Sequence, residues 1–321
     1  MADNKTIDKS FNGLLVVKAR NGNFNAGFDG NPRTLPDGTI FATDKALKYC
    51  IREYLATFKD EPVFVRRNRI IKELGKDKEK KLGKDKEKRL SYETLEENFK
   101  TKLGKDVPKN SDDEILKDLK SFIDVRLFGI VFSVNSNISL TGAVQISYGI
   151  NKFENSNSYP VQILSPYKNS NKKSEDSSQT TIGNETRADE VYYVYNISVN
   201  HANAQNTGMV NEDLIKLKES LLNSVDPITS CTKYGCESIC LVWLDNKENL
   251  VLNNLDEFVT ISKNEEGKVV LNLGLLKENL GQYGFNGVKG EEYSLTKTEF
   301  DKKFENQIHV IYKKGKIKIA E

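Results

Sequence analysis

Phe11-Asn-Gly-Leu-Leu-Val-Val-Lys-Ala-Arg20 runs into Asn21-Gly-Asn-Phe-Asn-Ala-Gly-Phe-Asp-Gly-Asn-Pro-Arg33, and Thr43-Asp-Lys-Ala-Leu-Lys-Tyr-Cys-Ile-Arg-Glu-Tyr-Leu55 follows. The first run is a short, nearly continuous apolar stretch, the pattern of a buried strand, and it ends on a basic side chain. The second is rich in Asn and Gly, which tolerate positive φ and leave backbone N–H groups exposed. Such a loop either wraps an anion or makes a long surface turn. In the third, Thr43 is a candidate N-cap, and Leu47, Ile51, Tyr54 and Leu55 share one helical face. Lys45, Lys48 and Arg52 share another. That stripe is either an ordinary solvated face or a phosphate track that starts at a helix N-terminus.

Outward from this strand–loop–helix unit, Ile123–Ser133 reads as a second core strand, and Leu140–Tyr148 as a short strand entered through Gly142. Val191–Val199 is β-branched and aromatic, a clear strand. Asn211 caps a predicted helix reaching about Val225, with Leu214, Leu217, Leu221 and Leu222 as its apolar face. Ser238–Leu244 is a further strand, and Leu250–Ile261 a strand-and-turn region. Gly281, Gly284, Gly287 and Gly290 mark a turn system. Gln307–Tyr312 is a late strand before a basic tail. The order β, α, β, insertions, β, α, β predicts an α+β fold with a split βαβ, ferredoxin-like core, which the RNA recognition motif shares.

The chain divides into a first core part, 10–59, an insertion, 60–120, more core, 121–150, a second insertion, 151–188, and the remaining core, 189–321. Leu74-Gly-Lys-Asp-Lys-Glu-Lys-Lys81 repeats as Leu82-Gly-Lys-Asp-Lys-Glu-Lys-Arg89, too short a period for a solenoid. Residues 59–109 hold 17 basic and 11 acidic residues, so the first insertion reads as mostly helical with a basic surface. Residues 151–188 are Asn-, Ser- and Lys-rich, as suits a projecting hairpin or a loop.

Of 321 residues, 37% are hydrophobic and 29% charged, and no apolar run approaches the roughly 18 residues of a membrane span. Twenty-nine aromatics argue against wholesale disorder. No apolar signal segment is visible at the N-terminus, so a cytoplasmic location is expected. The net charge is only +2, and any case for nucleic acid therefore rests on how charge is distributed. All nine arginines, the side chain suited to bidentate phosphate contacts, lie within the first 187 residues. The alternative is lysine-biased composition alone. Cys231, Cys236 and Cys240 do not have a usual zinc spacing and read as apolar fillers. The two histidines, His201 and His309, make general acid–base chemistry an unattractive starting point.

Three stretches together resemble the RAMP-superfamily backbone subunit of type I CRISPR Cascade complexes, the Cas-seven family, and its type I-B branch in particular. They are Leu14–Leu55, Asp124-Val-Arg-Leu-Phe-Gly129, and Leu140-Thr-Gly-Ala-Val-Gln-Ile-Ser147, the last similar to the family's Thr-Gly-Pro-Val-Gln stretch. The loop lacks the family's Asn-Pro-Asn-Gly-Asp pattern, and Ala143 stands where proline is commoner. The resemblance implies an RRM-like palm, a fingers insertion at 60–120 and a thumb at 151–188. It implies a non-catalytic protein without a cofactor, several copies of which polymerise along CRISPR RNA. Further partners would be the large subunit, the subunit capping the guide's 5′ end and, through the guide, target DNA. By position, Arg20, Asn23, Thr43, Lys45, Lys48 and Arg52 would hold RNA, and Gln145 would touch RNA or a neighbouring subunit.

Two nuclease readings stand beside this. In one, a metal-dependent ribonuclease of the same superfamily uses loop aspartates, here Asp29 or Asp37; the alternative is that they form turns. In the other, a guide-processing nuclease uses His201 or His309 as general base. A protein-interaction scaffold without nucleic acid is a further alternative.

Overall fold

The first strand, β1 (Phe11–Gly22), is buried on both faces. Leu15, Val17 and Ala19 enter one core, while Leu14 and Val16 enter another. A strand apolar on both faces needs a layer on each side, and the rest of the chain supplies both. The computed structural model describes residues 5–66, 69–73, 88–109, 111–135, 137–168, 180–245, 249–295, 298–302 and 306–321.

After β1 come β2 (Arg33–Thr34), β3 (Ile40–Ala42) and α1 (Asp44–Phe58). The next stretch holds the antiparallel pair β4 (Arg69–Glu73) and β5 (Lys88–Tyr92), then α2 (Leu95–Leu103), α3 (Asp112–Leu119) and α4 (Ile123–Phe128). Strands β6 (Gly129–Ser133) and β7 (Asn137–Thr141) form a second hairpin, followed by β8 (Val144–Ile146) and β9 (Gly149–Asn151). Then β10 (Ser158–Lys168) pairs antiparallel with the 20-residue β11 (Thr180–Val199). The remainder is α5 (His201–Thr207), α6 (Asn211–Asn223), β12 (Cys236–Asp245), a 3-10 turn at Leu255–Phe258, β13 (Thr260–Lys263), β14 (Val269–Asn272), α7 (Gly274–Gly281), β15 (Val288–Glu292), β16 (Ile308–Tyr312) and β17 (Lys318–Ala320).

The main sheet runs β15-β16-β12-β1-β11-β9-β3-β2, with β8 and β10 also on β11. β1 lies antiparallel between β11 and β12. On one face pack Leu47, Ile51 and Leu55 of α1 with Leu217, Leu221 and Leu222 of α6. The opposite face is closed by Leu255, Ile261, Leu271, Leu276, Leu280 and Phe285. A third core, built around Phe64, Phe99, Phe122 and Phe132, unites α2, α3, α4 and the β6–β7 hairpin. Its rings meet at centroid separations of 5.2–6.5 Å, within the range of favourable aromatic contacts. The fold is thus mixed α+β.

Several sequence expectations change here. Ile123–Ser133 is not a core strand: it is α4 followed by β6, and among the described residues β6 pairs with β7 alone, outside the main sheet. Ile123, Val125 and Leu127 alternate like a strand because α4 is buried on several sides, and the carboxylate of Asp124 is held among backbone N–H groups. Leu140–Tyr148 is broken at Gly142, where a Cβ would overlap backbone atoms of Phe128 and Gly129. The stretch 60–120 contains the β4–β5 pair as well as helices. The duplicated octapeptides lie outside the described residues except for Lys88 and Arg89. Asn211 is the first residue of α6 rather than its cap: Val210 precedes it, and Val210 N–H donates to Asp213 Oδ2 at 3.1 Å. In the basic C-terminal tail, Lys313, Lys314, Lys316 and Lys318 pair with Asp226, Glu292, Glu237 and Glu266.

Candidate nucleic-acid interface

Thr43 joins the Asn/Gly loop to α1. Its backbone N–H and its hydroxyl both donate to Asn25 Oδ1 at 2.9 Å, and Oγ1 accepts Ala46 N–H at 3.4 Å. The loop is therefore tied to the helix start through one carboxamide oxygen. Asn23 is placed beneath the loop, not on it. It is buried, its Nδ2 donates to the carbonyls of Gly30 and Thr186, and its backbone N–H donates to Thr232 O at 2.7 Å.

The predicted basic stripe separates into three environments. Lys45 is exposed, and no carboxylate among the described residues pairs with it. Lys48 reaches Asp44 at 3.1 Å and lies 5.6 Å from the Phe128 ring centroid. Arg52 stacks on the other end of that contact, 5.2 Å from the same ring, with Nε 3.0 Å from Oδ2 of the buried Asp124. The resulting groove, about 520 Å³, is lined by Arg52, Phe128, Thr141, Gly142 and Gln145 among others. Gln145, exposed on β8, donates from Nε2 to Gly142 O at 2.9 Å. Arg52 and Gln145, 93 positions apart in sequence, thus share one groove.

Arg20 lies elsewhere, at the far end of β1. It lines a cleft of about 630 Å³ with Asn21, Arg187, Ser230, Cys231 and Tyr234. Glu190, its register partner on β11, is taken by Lys18, Lys263 and Tyr192. Burial works against ionising Glu190, but these donors outweigh it and hold its carboxyl below the usual carboxylate range. Arg20 keeps an exposed guanidinium. Other arginines are spent on the fold: Arg66 forks onto Glu53, Arg126 forks onto Asp213 at 2.7 and 2.8 Å, and Arg187 meets Glu185. The presence of arginine in the first 187 residues therefore does not by itself mark an anion site.

In sequence, the turn 229–235 stands out only for Cys231. Lys233 in that turn lies 5.9 Å from the Phe24 ring and 5.5 Å from the Tyr49 ring, linking the Asn/Gly loop to α1. The available signal was Lys-Tyr-Gly between a helix and a strand, a turn composition carrying a cation and an aromatic.

The nuclease candidates sit in structural roles. Asp29 accepts Asn31 N–H at 3.0 Å and Asn31 Nδ2 at 2.8 Å, and Asp37 accepts Thr39 N–H at 2.9 Å. These bonds lower both carboxyl pKa values, as turn-forming aspartates require. His201 begins α5 with Nδ1 3.0 Å from Ser10 Oγ. His309 is buried on β16, where desolvation lowers its pKa although Glu291 lies 3.2 Å away. Cys236 is buried, with its thiol pushed up to about 12, and Cys240 is pushed up as well, while Cys231 is exposed. Among the described residues no cluster of His, Cys, Asp or Glu is arranged to hold a metal ion. Nor is any helix among them long and apolar enough to cross a membrane.

A family model described as CRISPR-associated protein Cas7 matches residues 9–273. No curated protein matches the sequence. Among solved structures, a chain of a CRISPR RNA-guided surveillance complex in a pre-nicking state is similar at 16% identity and TM-score 0.47, over 77% of this chain and 81% of that one. A chain of another CRISPR RNA-guided surveillance complex is similar at 13% identity and TM-score 0.49, over 91% of each. A chain of a type III-B Cmr-beta complex bound to cognate target RNA is similar at 11% identity and TM-score 0.36, over 72% of this chain and 59% of that one.

Proposed function

The chain belongs to the CRISPR-associated Cas7 family, and from that premise we propose that it is a non-catalytic backbone subunit of a type I-B Cascade surveillance complex. In this reading it polymerises along CRISPR RNA in the cytoplasm, beside the large subunit and the subunit capping the guide's 5′ end. It presents the guide so that base pairing selects target DNA. The sheet β12-β1-β11-β9 with α1 and α6 is the RRM-like palm, 60–120 the fingers and 151–188 the thumb. One feature of the strands supports that last assignment: β11 runs unbroken from its pairing with β10 into its pairing with β1, so a projecting hairpin would be carried rigidly by the palm.

A guide scaffold must ignore sequence, because spacers differ, so phosphate contacts serve it and base readout does not. The observation that carries the proposal is the pair Arg20 and Lys45. Both are exposed, neither is neutralised by a carboxylate of the described residues, and they stand at the two ends of the segment that joins β1 to α1. The loop aspartates close turns, which favours this reading over a ribonuclease.

Purification through a high-salt wash, extraction of bound nucleic acid and nuclease mapping test the proposal. RNA protected at a regular interval is the expected result. Protein free of nucleic acid that also fails to bind single-stranded RNA at low salt overturns it, and Mg²⁺-dependent cutting abolished by Asp29→Ala or Asp37→Ala replaces it with the ribonuclease.

A further inference from the structure

The cleft at the end of β1 carries a cation, Arg20, and an aromatic, Tyr234, whose side chains the fold does not use. Two guanidinium-bearing residues, Arg20 and Arg187, line it with Tyr234, and no carboxylate does. Tyr234 is 84% exposed, and no described residue engages its ring or hydroxyl. The turn that carries it is nevertheless firmly seated. Arg20 N–H donates to Gly235 O at 2.9 Å, Asn23 N–H donates to Thr232 O at 2.7 Å, and Tyr234 N–H closes the turn on Ser230 O at 2.9 Å. Glycine at 235 permits the approach, since a Cβ there would overlap the Arg20 carbonyl. Arg187 Nη2 donates to Cys231 Sγ at 2.9 Å and holds the opposite wall to the same turn.

An exposed tyrosine on a pinned turn beside an unneutralised arginine is a preorganised stacking platform next to an anion site. We propose that this cleft is a single-nucleotide subsite for single-stranded RNA, with Tyr234 stacking on a base and Arg20 holding the adjoining phosphate. The proposal rests on the RNA-binding reading above and adds a residue and a contact type to it. Stacking suits that reading because every base has a π-face, so the contact is tolerant of sequence. At about 630 Å³ the cleft is of ligand-pocket size. Lys233, in the same turn, extends positive charge toward Tyr49 on α1, along the path to Lys45.

The test measures binding of two single-stranded RNAs of unrelated sequence by the full chain, as a function of salt, for wild type and for Tyr234→Ala, Tyr234→Phe, Arg20→Ala and the double substitution Lys45→Ala with Lys48→Ala. Tyr234→Ala should weaken binding of both RNAs roughly five- to 150-fold, the loss of one stacked base, with the salt slope unchanged. Tyr234→Phe should bind like wild type. Arg20→Ala should lower the log–log salt slope by about 0.7. Because Tyr234 is exposed, its variants should melt like wild type. Wild-type affinity in Tyr234→Ala, alongside weakened binding in the Lys45/Lys48 double variant, overturns this inference and leaves the RNA-binding reading standing. Failure of the wild type to bind either RNA overturns both. Normal RNA affinity in Tyr234→Ala with loss of self-association overturns the inference in favour of a protein partner at the cleft.

Discussion

Arg52 Nε lies 3.0 Å from Oδ2 of Asp124, the fully buried carboxylate at the start of α4. The same carboxylate accepts the N–H groups of Phe64 and Val65 at 2.7 and 3.0 Å. One side chain therefore fastens the stripe-bearing helix, the entry to the 60–120 stretch and the α4 turn to one another. Arg52, predicted to reach for phosphate, has its Nε committed to this junction.

Replacing Asp124 should be costly because it leaves two N–H donors and a guanidinium without their anion. Asp124→Ala is expected to lower the unfolding free energy by about 3–5 kcal/mol, the range for breaking a buried ion pair. Chemical unfolding measures it. A loss below about 1 kcal/mol would mean that water or another carboxylate replaces Asp124, and the junction would not be what holds α1 to α4.

Gly129 has φ 71° and ψ −174°, a region essentially restricted to glycine, and a Cβ there would overlap the Leu140 carbonyl oxygen. Gly129→Ala should cost about 3 kcal/mol or more, from strain and the forced opening of the β6–β7 hairpin. Gly104, at φ 68° after α2, faces open space, and Gly104→Ala should cost only about 1–2 kcal/mol. Comparable losses in the two variants would show that steric overlap at Gly129 is relieved by movement of the hairpin.

These two sites show how far the sequence could be read. The strand–loop–helix unit was legible because β1 is a continuous apolar run, α1 keeps its apolar residues on one helical face, and Thr43 marks where the helix starts. Val191–Val199 and Ser238–Leu244 were legible because they are dense in β-branched, aromatic and other apolar residues, as strands buried at the centre of a sheet are. Ile123–Phe128 was not, since a helix of six residues buried on several sides shows the same alternation as a strand. The candidate site was legible as a list of cations but not as a set of free ones. Spacing put Lys45, Lys48 and Arg52 on one stripe, whereas Asp44 and Asp124 decide which of them remains available. Tyr234 carried no periodic signal at all, because its exposure depends on how its turn seats against β1.

Glu190 supplies the pH dependence. Its folded pKa lies below the ordinary value of 4.5, where hydrogen bonds from Lys263 and Tyr192 and the charge of Lys18 outweigh burial. A depressed carboxyl pKa means the unfolded chain binds the proton more readily, so the contribution is complete above the ordinary value and lost as pH falls through the folded one. The stability difference between wild type and Glu190→Gln should be constant from neutral pH to about pH 5 and shrink at lower pH. A difference that grows on acidification would reverse the sign of the shift.

Lys45 and Lys48 are neighbours on the stripe but should not contribute equally to RNA affinity. Lys48 is already neutralised in part by Asp44 at 3.1 Å and rests near the Phe128 ring, so binding a phosphate must first compete with that pair. Lys45 has no such partner among the described residues. Each phosphate neutralised on a single strand contributes about 0.7 to the magnitude of the log–log salt slope. Lys45→Ala should therefore lower the slope by about 0.7 and weaken unrelated RNAs alike, because the contact carries no base information. Lys48→Ala should lower it by less. Asp44→Asn should strengthen binding at low salt by releasing Lys48, and the gain should vanish in Asp44→Asn combined with Lys48→Ala. Equal slopes for the two lysine variants, with no gain from Asp44→Asn, would mean that the Asp44–Lys48 pair opens freely in the complex and that the stripe acts as one undivided field.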